Sequence, residues 1–210
     1  MAALAPLILA SCASKPSTYL VASVEDQKMA LVDDERLIAI YPISTSKFGL
    51  GNEFNSFQTP LGKLQVAKKY GGGAVAGAVF KDRRPTGEVL PIDAPGRDPI
   101  VTRILWLRGL EEWNKNSYPR YIYIHGTPEE RNLGKPYSWG CIRMRSSDII
   151  GLYDRVPVGT VVEIVKGPLR PEIKPYLEAI EKTRQAEREK AEATPEGEPE
   201  AASPSAAIES

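Results

Sequence analysis

From Ser17 onward, apolar and polar positions alternate in short runs separated by turn residues. "STYLVASVEDQKMALVDDERLIAIYPIS" reads as three strands with "EDQ" and "DDE" as polar reversals. "GKLQVAKKY", "IVTRILWLRG", "YIYIHG" and "TVVEIV" add four more runs rich in β-branched and aromatic residues, so at least seven strands are predicted. One helix is predicted, in "SSDIIGLYDRV": Ser146 or Ser147 can cap it, Asp148 lies in its first turn, and Ile149, Ile150 and Tyr153 share a face. The pattern predicts a mainly β chain, a sandwich or barrel-like body with one short helix.

Two stretches break the pattern. "YGGGAVAGAVFKDRRPTGEVLPIDAPGRDP", from Tyr70 to Pro99, is rich in Gly and Pro and long for a compact domain, which fits a functional lid, a solvated loop or a disordered segment. Its Lys81, Arg83 and Arg84 can attract a carboxylate, or serve as ordinary surface charges. After Gly167, "PYLEAIEKTRQAEREKAEA" is a helix former with opposite charges at i,i+4, such as Glu178 and Lys182. The final Pro, Glu, Ala and Ser residues carry no aromatic side chain and predict disorder. The expected division is a leader over 1–11, a tether over 12–17, a body over 18–167, a charged helical tail over 168–193 and an acidic tail over 194–210.

Composition narrows the function classes. Lys and Arg total 27 and so do Asp and Glu, so formal net charge is zero and nothing points to nucleic acid as a partner. Two cysteines and a single histidine supply neither a disulfide framework nor a zinc ligand set, and no metal site is expected.

The N-terminus, "MAALAPLILASCAS", has a short apolar run followed by small residues, the outline of a secretory signal rather than a spanning helix, although no Lys or Arg precedes the run. "LASC", Leu9 to Cys12, resembles a bacterial lipobox, in which Cys12 would receive lipid and become the first mature residue. The alternative is an apolar strand that happens to contain a cysteine. With Ala13 rather than Asp after Cys12, the resemblance implies a lipid anchor on the outer membrane, facing the periplasm.

The candidate chemistry lies in "IHGTPEERNLGKPYSWGCIRM", which holds His125 and Cys141. A thiol attacks as thiolate, and its ordinary pKa of ~8.5 falls beside an imidazolium, a cation or a helix N-terminus. Cys141 precedes the predicted helix, Arg143 follows two positions on, and Gly140 lets backbone approach a substrate, so N–H groups of "SWGC" can face an oxyanion. Each residue also has a structural reading: a buried thiol, a hydrogen-bonded histidine, a turn glycine capped by Ser138, Arg143 paired with a carboxylate such as Asp148, and Trp139 as packing.

Taken together the motif resembles the L,D-transpeptidase (YkuD-like) family of bacterial cell-wall enzymes. Their signature of His-Gly-small at a strand end, then Ser-x-Gly-Cys-hydrophobic-Arg/Asn, is matched by His125-Gly126-Thr127 and Ser138-Trp139-Gly140-Cys141-Ile142-Arg143. "STS" with "QTPLGKLQV" and the closing "RVPVGTVVEIV" extend the likeness over about Ser17 to Val165. The resemblance implies Cys141 as nucleophile and His125 as base, with Gly126 offering the carbonyl that orients the imidazole. Ser138 would support the turn, and Arg143 would steady the thiolate or a substrate carboxylate. Trp139 departs from the second histidine that relatives often carry there. The implied reaction is attack on a peptidoglycan stem peptide, loss of D-Ala and transfer of the acyl group from Cys141 to an amine of another stem or of an envelope protein, with no metal or organic cofactor needed. Transfer to water would make the protein a carboxypeptidase; a non-catalytic wall-binding lipoprotein on the same scaffold is the third reading.

Overall fold

Tight reversals fold the first strands back on one another. β1 (Thr18–Ser23) pairs antiparallel with β2 (Lys28–Asp33), and β2 with β3 (Arg36–Pro42). Between β2 and β3, Asp34 and Glu35 both take positive φ, 45° and 59°, the hairpin geometry whose twist matches that of the strands. This computed structural model describes residues 18–169 and, beyond them, 171, 173–175, 178, 182 and 185. The leader, Cys12 with its tether, and the acidic tail lie outside the described residues, as does most of the charged tail. The chain divides into two units at Lys174 and Pro175; in the second, Pro175, Glu178, Lys182 and Gln185 have helical backbone. The first runs past the boundary expected at Gly167, because Leu169 and Ile173 are buried and the Leu169 N–H donates to Asp26 at 2.7 Å.

The remaining strands complete a mixed ten-stranded sheet. β10 (Val161–Val165) lies parallel to β1 and antiparallel to β4 (Gly62–Tyr70), which pairs with β7 (Ile100–Gly109). β7 then carries β8 (Tyr123–Gly126) antiparallel, and β8 carries β9 (Ile142–Met144) parallel. The outer side of β9 meets the chain just after β3: the Ser44 N–H donates to Arg143 O (3.0 Å) and the Arg143 N–H to Ser44 O (2.9 Å). These two bonds bring the circuit of strands together in the barrel-like body the alternation predicted, while β6 remains an exposed edge.

Closure gathers the core. Leu20 and Leu31 from one limb meet Leu105, Ile124, Ile142 and Met144 from the other in one buried cluster. Ile149 and Leu152 of α1 (Ser146–Arg155) enter the same cluster; Ile150, expected on that face, is only half-buried. No serine caps α1. Arg145 occupies the N-cap, and Glu130 from the preceding loop accepts the Ser146 N–H at 2.9 Å.

The Gly- and Pro-rich stretch is ordered as a hairpin, β5 (Ala78–Lys81) and β6 (Arg84–Val89), laid along the start of β7. Every residue of β6 is exposed, so no burial pattern marks it as a strand. Leu105 is fully buried on the central strand. Leu105→Ala should cost ~2–5 kcal/mol of stability, read from urea unfolding, with no change in the pH dependence of Cys141 reactivity.

Candidate active site

Strand alternation sets the two chemical side chains on one face. Ile124, Ile142 and Met144 point into the main core, so Tyr123 and His125 on β8, and Cys141 and Arg143 at β9, point to the opposite face. There Cys141 packs against a second cluster containing Ile104, Trp106 and Tyr123. The parallel register pairs Ile124 with Ile142 and His125 with Arg143, which makes His125 and Cys141 diagonal neighbours.

β7 is deformed opposite the histidine. Its register slips between Val101, opposite Gly126, and Ile104, opposite His125. Within this bulge the buried, β-branched Thr102 has a φ of 71°, an uncommon and strained conformation. Its hydroxyl accepts the Gly77 N–H (2.9 Å) and bonds Ser146 Oγ (2.8 Å). A Cβ at Gly126 would lie 2.7 Å from Val101 O, so only glycine fits after the histidine.

His125 Nδ1 lies 2.8 Å from Gly126 O. A carbonyl accepts only, so Nδ1 carries the proton and Nε2 is left with the basic lone pair. Burial pushes the imidazole down to about 4, reinforced by the Arg143 charge and opposed by the Gly126 bond. Cys141 keeps part of its surface open, while Sγ–H points to Tyr121 O at 3.5 Å. The protein around it pushes the thiol up to about 11, against a hydrogen bond from the Tyr123 backbone and the Arg143 and Arg120 charges. No hydrogen bond joins the two side chains among the described residues. The expected cation-lowered thiolate is therefore absent at rest: desolvation outweighs the neighbouring charges, and both partners are neutral.

Arg143 is bound elsewhere. It pairs with Asp98 and, at 3.8 Å, with Glu129, rather than with Asp148. Asp98 also accepts from Thr127 Oγ1 at 2.5 Å, tying β9 to the end of the long loop.

The cysteine turn is held by Ser138 and by two threonines that the sequence left without a role. Ser138 Oγ donates to Cys141 O (2.6 Å) and accepts the Gly140 N–H (3.2 Å), so that N–H is not free for an oxyanion. Gly140 has φ +115°, a region closed to other residues at low cost. Thr59 Oγ1 donates to Gly140 O (3.0 Å), and Thr45 O accepts the Ser138 N–H (2.8 Å). Thr45 and Thr59 lie within "STS" and "QTP", the stretches already quoted for the family likeness, and their cradle role needs the third dimension.

On one flank of Cys141, Arg83 at the β5–β6 turn donates to Tyr123 Oη (3.2 Å) and covers the rings of Trp106 (5.0 Å) and Tyr121 (5.3 Å). On the other lies a pocket of about 370 Å³ lined by Phe54, Phe57, Arg120, Tyr121 and Trp139.

In a Cys12→Ser background, iodoacetamide labelling of free Cys141 should still be climbing steeply at pH 10, since the thiolate fraction grows until about 11. A plateau near pH 7 would show an ion pair at rest.

A Salmonella typhimurium protein named "Probable L,D-transpeptidase ErfK/SrfK" is 45% identical over 56 residues, 27% of this chain and 18% of that protein's length. The Bacillus subtilis "Putative L,D-transpeptidase YqjB" is 27% identical over 147 residues, 70% of each. L,D-transpeptidase 3 from Mycobacterium tuberculosis, in complex with a faropenem-derived adduct, aligns over 72% of this chain and 61% of that one, with 19% identity and a TM-score of 0.47. The profile of the L,D-transpeptidase catalytic domain matches residues 17–164, the body that holds both His125 and Cys141, and the chain therefore belongs to the YkuD family.

Proposed function

We propose that this protein is a peptidoglycan L,D-transpeptidase in which Cys141 carries the acyl group and His125 moves the protons. The observation that carries this reading is the Nδ1 bond to Gly126 O, which leaves Nε2 basic on the face that Cys141 shares. The donor is a stem peptide, and its free carboxylate meets Arg83. As the Sγ–C bond forms, the thiol proton passes to Nε2 and the carbonyl electrons move to oxygen. Collapse restores the carbonyl and breaks the C–N bond; the leaving D-Ala amine takes the proton from Nε2. An acceptor amine then attacks the thioester and gives its proton to Nε2. The S–C bond breaks, and the proton returns to sulfur.

Starting from neutral partners, this route never needs a free thiolate in the resting enzyme. Arg143, tied to Asp98 and Glu129, acts as a buried charge and an anchor of β9, and Ser138 and Gly140 shape the turn. The acceptor, another stem peptide or an envelope protein, completes a crosslink or an anchorage.

Incubated with a stem tetrapeptide, the wild-type chain should gain the mass of the tetrapeptide less D-Ala. Cys141→Ala should gain none, and His125→Ala should acylate ~10²–10⁴-fold more slowly. Labelling of Cys141→Ala equal to wild type would refute the assignment. Product analysis separates transfer from the hydrolase reading, in which D-Ala is released and nothing is joined.

The lipobox-like "LASC" supports anchorage at the periplasmic face of the outer membrane through Cys12. Cells fed labelled palmitate should label the wild type and not Cys12→Ala. Equal labelling, or none in either, would contradict it.

A further inference from the structure

The pocket beside Cys141 has an unusual make-up for the flank of a polar reaction centre. Phe54, Phe57 and Trp139 stand about half exposed in its wall. Trp139 is nonetheless fixed: its ring lies edge-on to Phe48 (5.0 Å) and Phe57 (5.2 Å), and Lys47 Nζ sits 4.7 Å from its centroid. Arg120 lines the same pocket and donates to Gly51 O (3.1 Å), Asn52 Oδ1 (3.4 Å), Ser56 Oγ (3.2 Å) and Gln58 O (2.7 Å). All four acceptors are neutral, and all belong to the loop that presents Phe54 and Phe57. Among the described residues the guanidinium has no ion-pair partner; its charge acts on Cys141 and, less, on Glu53.

We propose that this pocket is the acceptor subsite and that it takes the attacking primary amine as the free base; the proposal rests on the transpeptidase reading above. An amine attacks through its lone pair, yet with an ordinary pKa of ~10.4 about one molecule in a few thousand is uncharged at pH 7. Apolar walls disfavour the ammonium form by desolvation, and an unneutralised guanidinium disfavours it further by repulsion. Both lower the amine's pKa at the place where the lone pair is needed. The rings also cover the methylenes next to the amine and keep out water, the competing nucleophile. The charged or titratable groups around the pocket are Arg120, Cys141, Tyr121 and Glu53, with Lys47 behind Trp139. Tyr121 separates the pocket from Arg83, whose guanidinium lies over its ring.

The test begins from the wild-type acyl-enzyme, formed with a donor tetrapeptide and freed of excess. A peptide bearing one primary amine and unable to act as donor is then added between pH 6 and 10. Mass spectrometry gives the ratio of aminolysis to hydrolysis. Trp139→Ala and Phe57→Ala should each lower that ratio about tenfold, the size of one lost aromatic contact. Arg120→Gln should move the midpoint of the aminolysis profile up by about one pH unit, toward the free amine's own pKa, and Arg120→Lys should restore it. If Arg120→Gln does not fold, the two aromatic variants decide. An acyl-enzyme that forms normally, with ratio and midpoint unchanged in the variants, overturns the subsite alone. A wild-type chain that forms no acyl-enzyme overturns the transpeptidase reading, and this proposal with it.

Discussion

The parallel pairing of β8 with β9 is the constraint on which the rest depends. It sets Ile124 against Ile142 and Gly126 against Met144, and it alone decides that a histidine and a cysteine far apart in sequence share one face. A slip of one residue would turn Cys141 into the core and Ile142 out of it. The register is held from three sides: Ile142 and Met144 in the core, Ser44 on the outer backbone of β9, and Asp98 and Glu129 on Arg143. Closing the strand circuit and positioning the nucleophile are therefore the same event.

The electrostatics follow from that burial. A thiol set beside Tyr121 and Tyr123 loses more by desolvation than nearby cations return, and an imidazole sealed against a bulged strand loses more than the Gly126 carbonyl returns, with the Arg143 charge adding to the loss. The pair rests neutral, with the tautomer fixed by Gly126 O. Its chemistry waits for an electrophile at Sγ. The strained Thr102 belongs to the same design, because its bulge makes room only for a glycine after His125.

What the sequence revealed and what it concealed divide along physical lines. β1, β2, β4, β7, β8, β10 and α1 were legible because each buries apolar side chains with a period or run that fits such an element, and β3 was legible from its apolar run between turn residues although its Ile38 and Ile40 are exposed. β6 was not: Pro85 and Gly87 interrupt it, and no residue in it is buried. β9 was hidden by its three-residue length, and its parallel partner could not be read from spacing. His125, Cys141, Gly126, Ser138 and Gly140 were picked out by motif, and the carbonyl partner of the imidazole falls at the expected Gly126. Arg143 was expected to serve the thiolate, a substrate or Asp148. Its partners Asp98 and Glu129 come from segments whose approach depends on the whole fold. The depressed imidazole and raised thiol were equally illegible, since burial is a property of three dimensions.

The chain has one histidine, which gives the central claim a direct measurement. In protein labelled with ¹⁵N at the imidazole, the two ring signals belong to His125 alone. The account predicts a neutral ring protonated at Nδ1 from pH 8 down to pH 5, charging only as pH approaches about 4. A ring protonated at Nε2, or one that titrates near its ordinary value of 6.5, would contradict it.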